Sequence, residues 1–224
     1  MIQRKYFWLI GAFIALVTVG CGTAQPTVPP ASAPSATSME TNQMNQFNFD
    51  TDVVGGLPKG ATVFSGTWVV RAEKDAPSQP NALCQTGTAT FPALTLGDKI
   101  YADVAITVRF KPISGREDQA AGIIFRVQDK DNYYILRANA LEDNVNFYKY
   151  ASGRRSGIKD ASVKVASGQW QELRVEMIGN RMRGFLNGQM VNEATDDSYK
   201  AGKVGLWTKA DSVTCFDDFQ ASSK

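Results

Sequence analysis

The 224-residue chain contains no histidine. That removes serine and cysteine triads built on imidazole, and most zinc sites. Cysteine is scarce, with three residues, one of which, Cys21, sits at the end of the N-terminal apolar stretch. No segment shows a sustained helical period with caps, so helical folds are excluded. No apolar run is long enough to span a bilayer comfortably: the one from Tyr6 to Val19 falls short of the roughly 20 residues required. A basic excess is missing as well. Arg4 and Lys5 are two of the 24 Lys and Arg residues, and the rest balance 22 Asp and Glu. The +2 net charge therefore belongs to the first 20 residues, and nucleic acid is not an expected partner.

What is present at the N-terminus is a signal. Arg4 and Lys5 precede a short apolar stretch that ends in small residues, the pattern of a secretory signal peptide over residues 1–20. Thr18-Val19-Gly20-Cys21 resembles the bacterial lipobox, with Thr18 where Leu is usual. The resemblance implies that Cys21 is lipidated and becomes the mature N-terminus. The acyl chains would then hold the protein on a membrane without spanning it. Residues 21–46 are rich in Pro, Ala, Ser, Thr and amides and have no apolar pattern to bury, so they are expected to form an extended tether. Residues 47–224 are of a size for one domain.

That domain reads as strands. TWVVRAEK, KIYADVAITVRF, AGIIFRVQ, NYYILRANA, NVNFYKY, WQELRVEMIG, RMRGFLNG, KVGLWTKA and SVTCFDDFQ are short, rich in β-branched and aromatic residues, and mostly alternating. Turn residues separate them, as at Glu142-Asp143-Asn144, Gly179-Asn180 and Asn187-Gly188. The pattern predicts an all-β, antiparallel two-sheet sandwich.

Side-chain alternation then sorts the faces. Leu173, Val175 and Met177 share one side of their strand, and Glu172, Arg174 and Glu176 the other. The same parity sends Ile123, Phe125, Val127, Tyr134, Leu136, Ala138, Val145, Phe147, Val204 and Leu206 inward. It sends Arg126, Tyr133, Arg137, Asn139, Asn144, Asn146, Tyr148, Trp207 and Lys209 to the opposite side. If these strands are neighbours, the nine form one surface of flat rings with guanidinium and amide groups. Such a mixture suits sugars, whose C–H faces stack on rings while their hydroxyls meet polar groups. Exposed strand faces also favour Tyr, Trp, Thr and Arg for cross-strand pairing alone.

AGIIFRVQDKDNYYILRANALEDNVNFYKYASGRR, WQELRVEMIGNRMRGFLNGQ and GKVGLWTKADSVTCFDDF, in that order, resemble exported bacterial domains of the concanavalin A-like lectin/glucanase superfamily. The nearest types are the laminin G-like and 3-keto-disaccharide hydrolase-like domains. The resemblance runs from about Phe47 to Phe219 and implies a jelly roll of two curved sheets whose concave face receives a glycan in sugar-binding relatives. It also implies that a structural calcium, where present, lies between Asp50 near the first strand and Asp217 or Asp218 in the last. No other cofactor is expected. The first and last parts of the chain share a sheet in such folds, so Cys84 and Cys215 have a geometry in which to pair. An exported protein with two spare cysteines usually pairs them; the other reading is two buried thiols.

The Glu-x-Asp-x-x-Glu strand motif of the related glucanases is absent. Adjacent acids such as Glu117-Asp118 and Glu142-Asp143 do not by themselves provide the spaced carboxylates of a glycosidase. The glycine-containing VVGGLPKG and ASGRRSG lack the setting of a phosphate loop. The residues therefore favour binding over chemistry. The expected protein is a monomeric, membrane-anchored lipoprotein of the cell envelope, periplasmic or at the cell surface, that binds a glycan or another envelope component. A laminin G-like adhesion domain and a hydrolase of unusual sugars are the alternatives.

Overall fold

A computed structural model describes residues 14–15 and 44–224. The chain divides into two compact units, Met1–Met39 and Glu40–Lys224, and the fold below is that of the second. The expected lipidation site, Cys21, lies outside the described residues.

The strands are β1 (Asn45–Phe47), β2 (Ala61–Ser65), β3 (Trp68–Ala72), β4 (Asn81–Gln85), β5 (Ala93–Leu96), β6 (Val104–Ser114), β7 (Ala120–Asp129) and β8 (Asn132–Asn139). They continue with β9 (Asn144–Ala151), β10 (Arg154–Lys159), β11 (Gln171–Ile178), β12 (Arg181–Leu186), β13 (Gln189–Thr195), β14 (Lys203–Trp207) and β15 (Val213–Ser223). An eight-stranded sheet has the order β13-β12-β11-β6-β15-β4-β3, with β1 also paired along β15. A seven-stranded sheet has the order β10-β9-β8-β7-β14-β5-β2. Every strand pairing is antiparallel. This is the expected two-sheet sandwich.

The aliphatic and aromatic residues of one parity form the core between the sheets. Ile123, Phe125, Tyr134, Leu136, Val145, Phe147, Val204 and Leu206 from one sheet meet Ile106, Val108, Leu173, Val175, Met177 and Phe216 from the other. Six strands went unread in the sequence: β1, β2, β4, β5, β10 and β13. In β4 and β5 every residue is buried, so alternation gives no signal there. In β10, RRSGIK, apolar residues are too few to mark a face.

One element breaks parity. Arg126 has a left-handed backbone, φ 48°, and forms a bulge: Val127 pairs with Lys203 but Ile124 with Gly205, which leaves one extra residue on β7. Val127 is thereby moved to the outer cluster with Ile124, Tyr133, Ile135 and Trp207, against the inward position that simple alternation gives it.

Tyr134 adds a polar tie near this end of the sandwich. Its hydroxyl donates to Asp196 Oδ1 at 2.6 Å and accepts from the Tyr199 amide at 3.1 Å. Burial leads in pushing that phenol up to about 12, so it stays a donor throughout the physiological range.

Candidate functional site

The outer face of the seven-stranded sheet gathers most of the residues expected there. Register places Arg137 beside Asn146 and Gly122, Tyr133 beside Tyr150, Ile135 beside Tyr148, and Asn139 beside Asn144. Trp207 lies between Gly122 and Ala93. These two small partners make room for the indole to lie across the sheet: a Cβ at Gly122 would come within 3.2 Å of Trp207 Cε3.

At the polar end, Arg137 is buried, 1% exposed. Its Nη2 donates to Glu142 Oε2 at 2.5 Å and to Asn144 Oδ1 at 2.7 Å, and its Nη1 lies 3.8 Å from Asp118 Oδ1. Asp118 is wholly buried and accepts from Asn139 Nδ2 at 2.6 Å and from Lys209 Nζ. Asn146 Nδ2 donates to the Tyr148 hydroxyl at 3.1 Å. The Arg137 and Arg155 guanidinium groups lie 5.2 and 4.5 Å from the Tyr148 ring centroid. Burial raises the Glu142 carboxyl, but the Asn144 hydrogen bond and the Arg137 charge and hydrogen bond outweigh it, and its pKa is held below the ordinary value.

Asp118 reaches this cluster because its loop is fixed from two sides. The Asp211 carboxylate accepts the amides of Arg116, Glu117 and Asp118. Gly115, at φ 155°, lets the chain turn so tightly that a Cβ there would stand 1.8 Å from the Asp118 carbonyl oxygen. No other residue fits.

Two guanidinium atoms on this face lack a partner. Arg137 Nε and Arg155 Nη1 are both buried and unbonded, and a buried donor left so costs about 1–3 kcal/mol. The Trp207 indole N–H is also buried and without a partner.

Three expectations need correction. Arg126 is not on the ligand face: the bulge turns it away, and its guanidinium donates to the carbonyls of Ala102, Tyr199 and Gly179 at 2.8–2.9 Å. It clasps loops, each of its guanidinium nitrogens bonded within the protein, and is 2% exposed. Trp207 is on the face but fully buried, with Phe91 stacked on it at 5.6 Å and Arg155 above at 5.7 Å. It is a floor and not a stacking platform. Tyr133 is likewise 2% exposed, stacked under Tyr150 at 4.8 Å.

The metal expectation rests on Asp50, Asp217 and Asp218. Asp217 is wholly buried, and its oxygens accept from Ser78 N at 2.8 Å, Ser78 Oγ at 2.9 Å and Asp218 N at 2.7 Å. Asp50 Oδ1 accepts from Asn81 N at 3.2 Å, while Asn81 Nδ2 donates to the Asp50 carbonyl at 3.1 Å. Among the described residues Asp50, Asp217 and Asp218 form no cluster of converging ligand atoms. Donors from Ser78, Asp218 and Asn81 already meet the Asp217 and Asp50 carboxylates.

Asp217 has a different consequence. Burial raises its pKa to about 6, against an ordinary 3.8, despite three hydrogen bonds. A carboxyl raised in the folded state stabilises the fold below its unfolded pKa, and that contribution is lost as pH rises through 6. The loss is about 3 kcal/mol in full. The stability difference between wild type and Asp217→Asn, measured by urea unfolding, should change by that order between pH 4 and pH 7. A difference independent of pH would refute the shift.

Cys84 and Cys215 are bonded to each other, directly opposite on β4 and β15. Sequence reading missed Phe91, Arg155 and Asp118 as parts of the site. Phe91 lies in a loop, Arg155 in a glycine-containing stretch with no alternating apolar pattern, and Asp118 in one of several adjacent acid pairs.

Residues 59–221 match the family model of the 3-keto-alpha-glucoside-1,2-lyase-like domain. The chain belongs to that family. The lyase-like domain is also 26% identical over 150 residues to the levanase of Bacillus subtilis (strain 168), covering 66% of this chain and 20% of that enzyme. It thus spans about a fifth of the length of the curated relative. Among solved structures it is similar to the carbohydrate-binding module CBM66 from Bacillus subtilis, with TM-score 0.63 and 22% identity over 73% of this chain and 96% of that one. It is also similar to the Bacillus licheniformis beta-glucanase, with TM-score 0.54 and 10% identity over 83% of this chain and 100% of that one. Domain 4 of an extracellular arabinanase from Geobacillus stearothermophilus, solved with arabinotriose, aligns with TM-score 0.54 and 14% identity, covering 80% and 92%. At these identities the structural likeness establishes the fold: the lyase-like domain is a concanavalin A-like β-sandwich.

Proposed function

We propose that the domain binds carbohydrate over the Arg137 cluster on the outer face of the seven-stranded sheet. The observation that carries this reading is the pair of buried, unpartnered guanidinium atoms, Arg137 Nε and Arg155 Nη1. They lie in a polar cluster with carboxylates, amides and a phenol. Sugar hydroxyls both donate and accept, so they suit the accessible edge of this cluster, where the Glu142 carboxylate accepts and the Tyr148 hydroxyl can do either. The similarity to levanase makes levan the first polysaccharide to test. Affinity electrophoresis of the purified chain through gels containing levan, arabinan or β-glucan should show retardation by at least one. Unretarded migration in all three, with a normal thermal melt, would end the carbohydrate reading.

The family name and the two carboxylates beside Arg137 also raise catalysis. Glu142 is the more accessible of them, and its lowered pKa leaves it ionised at neutral pH, unfit to protonate a leaving group. Binding is therefore the better-supported use of the cluster. Release of reducing sugar from the retarding polysaccharide would reverse that order.

The N-terminal segment supports a location. We infer that Cys21 carries the lipid that anchors the domain to a membrane of the cell envelope. Cys21→Ala should leave the protein uncleaved by the lipoprotein route and unlabelled by fatty acid in vivo; equal labelling of variant and wild type would refute the assignment.

A further inference from the structure

A cavity opens on the same face beside the Arg137 cluster. Its volume is about 620 Å³, and Phe64, Phe91, Tyr133 and Tyr150 line it with Ser65 and Thr90. That volume falls within the roughly 300–1,000 Å³ of ligand pockets. The wall between the two sites is thin and shared. Phe91 stacks on Trp207 and meets Tyr150 edge-on at 5.6 Å, while the Arg155 guanidinium lies 5.0 Å from the Phe91 ring and 4.5 Å from that of Tyr148. Tyr148 belongs to the Arg137 cluster and Tyr150 to the cavity. Two positions apart on β9, they point to the same side about 7 Å from each other.

The chemistry of the cavity differs from that of the cluster. Its only charged lining residues, Lys130 and Asp131, are paired with each other at 2.6 Å. The rest is rings, small residues and two hydroxyl side chains. Aromatic walls with hydroxyls suit the apolar C–H faces of neutral sugar rings.

We propose that this cavity is a second subsite, holding the neutral sugar units next to the one bound at Arg137. The proposal rests on the carbohydrate reading above and adds that the domain recognises a chain and not a single sugar. Arg155, whose Nη1 is unpartnered in the shared wall, is placed to contact the linkage between units.

Titration calorimetry of the full chain with fructose and with levan-derived di-, tri- and tetrasaccharides tests this. Affinity should rise about tenfold or more from fructose to the trisaccharide. In Phe64→Ala the trisaccharide should bind only as well as fructose binds the wild type. Thr90→Trp, at an exposed position on the rim, fills the cavity without disturbing the core and should have the same effect should the Phe64 variant fold poorly. Equal affinities of the wild type for fructose and the trisaccharide would overturn the second subsite and leave the carbohydrate reading standing. So would a length-dependent gain that persists in a folded Phe64→Ala and in Thr90→Trp. No binding of any of these saccharides, together with no retardation by levan, arabinan or β-glucan, would overturn both.

Discussion

Removal of the Cys84–Cys215 disulfide should lower the melting temperature by about 10–20 °C. The bond joins residues 131 apart in sequence, and the chain entropy it removes from the unfolded state amounts to about 5 kcal/mol at most. In a domain of this size each kcal/mol is worth about 2–4 °C. Both cysteines are fully buried and pack with Ala76, Ala82 and Trp170, so paired alanines leave only a small void. The bridge ties β4 to β15 in the eight-stranded sheet, on the opposite side of the sandwich from the Arg137 cluster. Carbohydrate retention should therefore survive its loss at low temperature. Calorimetric melts of wild type with and without reductant, and of the double Cys→Ala variant, check both points. A melting temperature unmoved by either would show that the bond does not restrict the unfolded chain. An oxidising compartment is where such a bond persists, in keeping with export.

Arg137→Ala should reduce carbohydrate affinity at least tenfold, because the guanidinium holds the accessible Glu142 and Asn144 in place. A hydrogen bond to a charged group contributes about 1.5–3 kcal/mol, and each 1.4 kcal/mol is a factor of ten. The substitution should also destabilise the fold by about 2–3 kcal/mol. It removes a cation beside the buried Asp118, although Lys209 and Asn139 still hold that carboxylate. Arg137→Lys separates the two effects. It restores the charge, and with it most of the stability, but it cannot reproduce the planar fork, so affinity should stay low. Calorimetric titration and urea unfolding of both variants give the comparison. Wild-type affinity in Arg137→Lys would show that only charge matters; wild-type affinity in Arg137→Ala would remove Arg137 from the site.

Alternation along each strand made the sandwich legible, because a strand with one buried side must place apolar residues at every second position. Leu173, Val175 and Met177 declare the core by themselves, and so do Tyr134, Leu136 and Ala138. The same rule assembled Tyr133, Arg137, Asn139, Asn146, Tyr148 and Trp207 on one face before their neighbours were known. It failed at Arg126, where a left-handed residue inserts a bulge that no local pattern announces. It was silent on β4 and β5, whose wholly buried residues carry no polar phase.

Sequence alone established the antiparallel all-β class, the inward side of most strands, and the residue types from which a sugar site could be made. Which of those residues are open to a ligand became visible only in the folded chain. Phe91 and Arg155 come from a loop and an edge strand to cover Trp207, and the 115–118 turn carries Asp118 under Arg137. Local periodicity reports the side of a strand on which a residue lies. Coverage of that side is set by segments distant in sequence, and no short-range pattern encodes their approach.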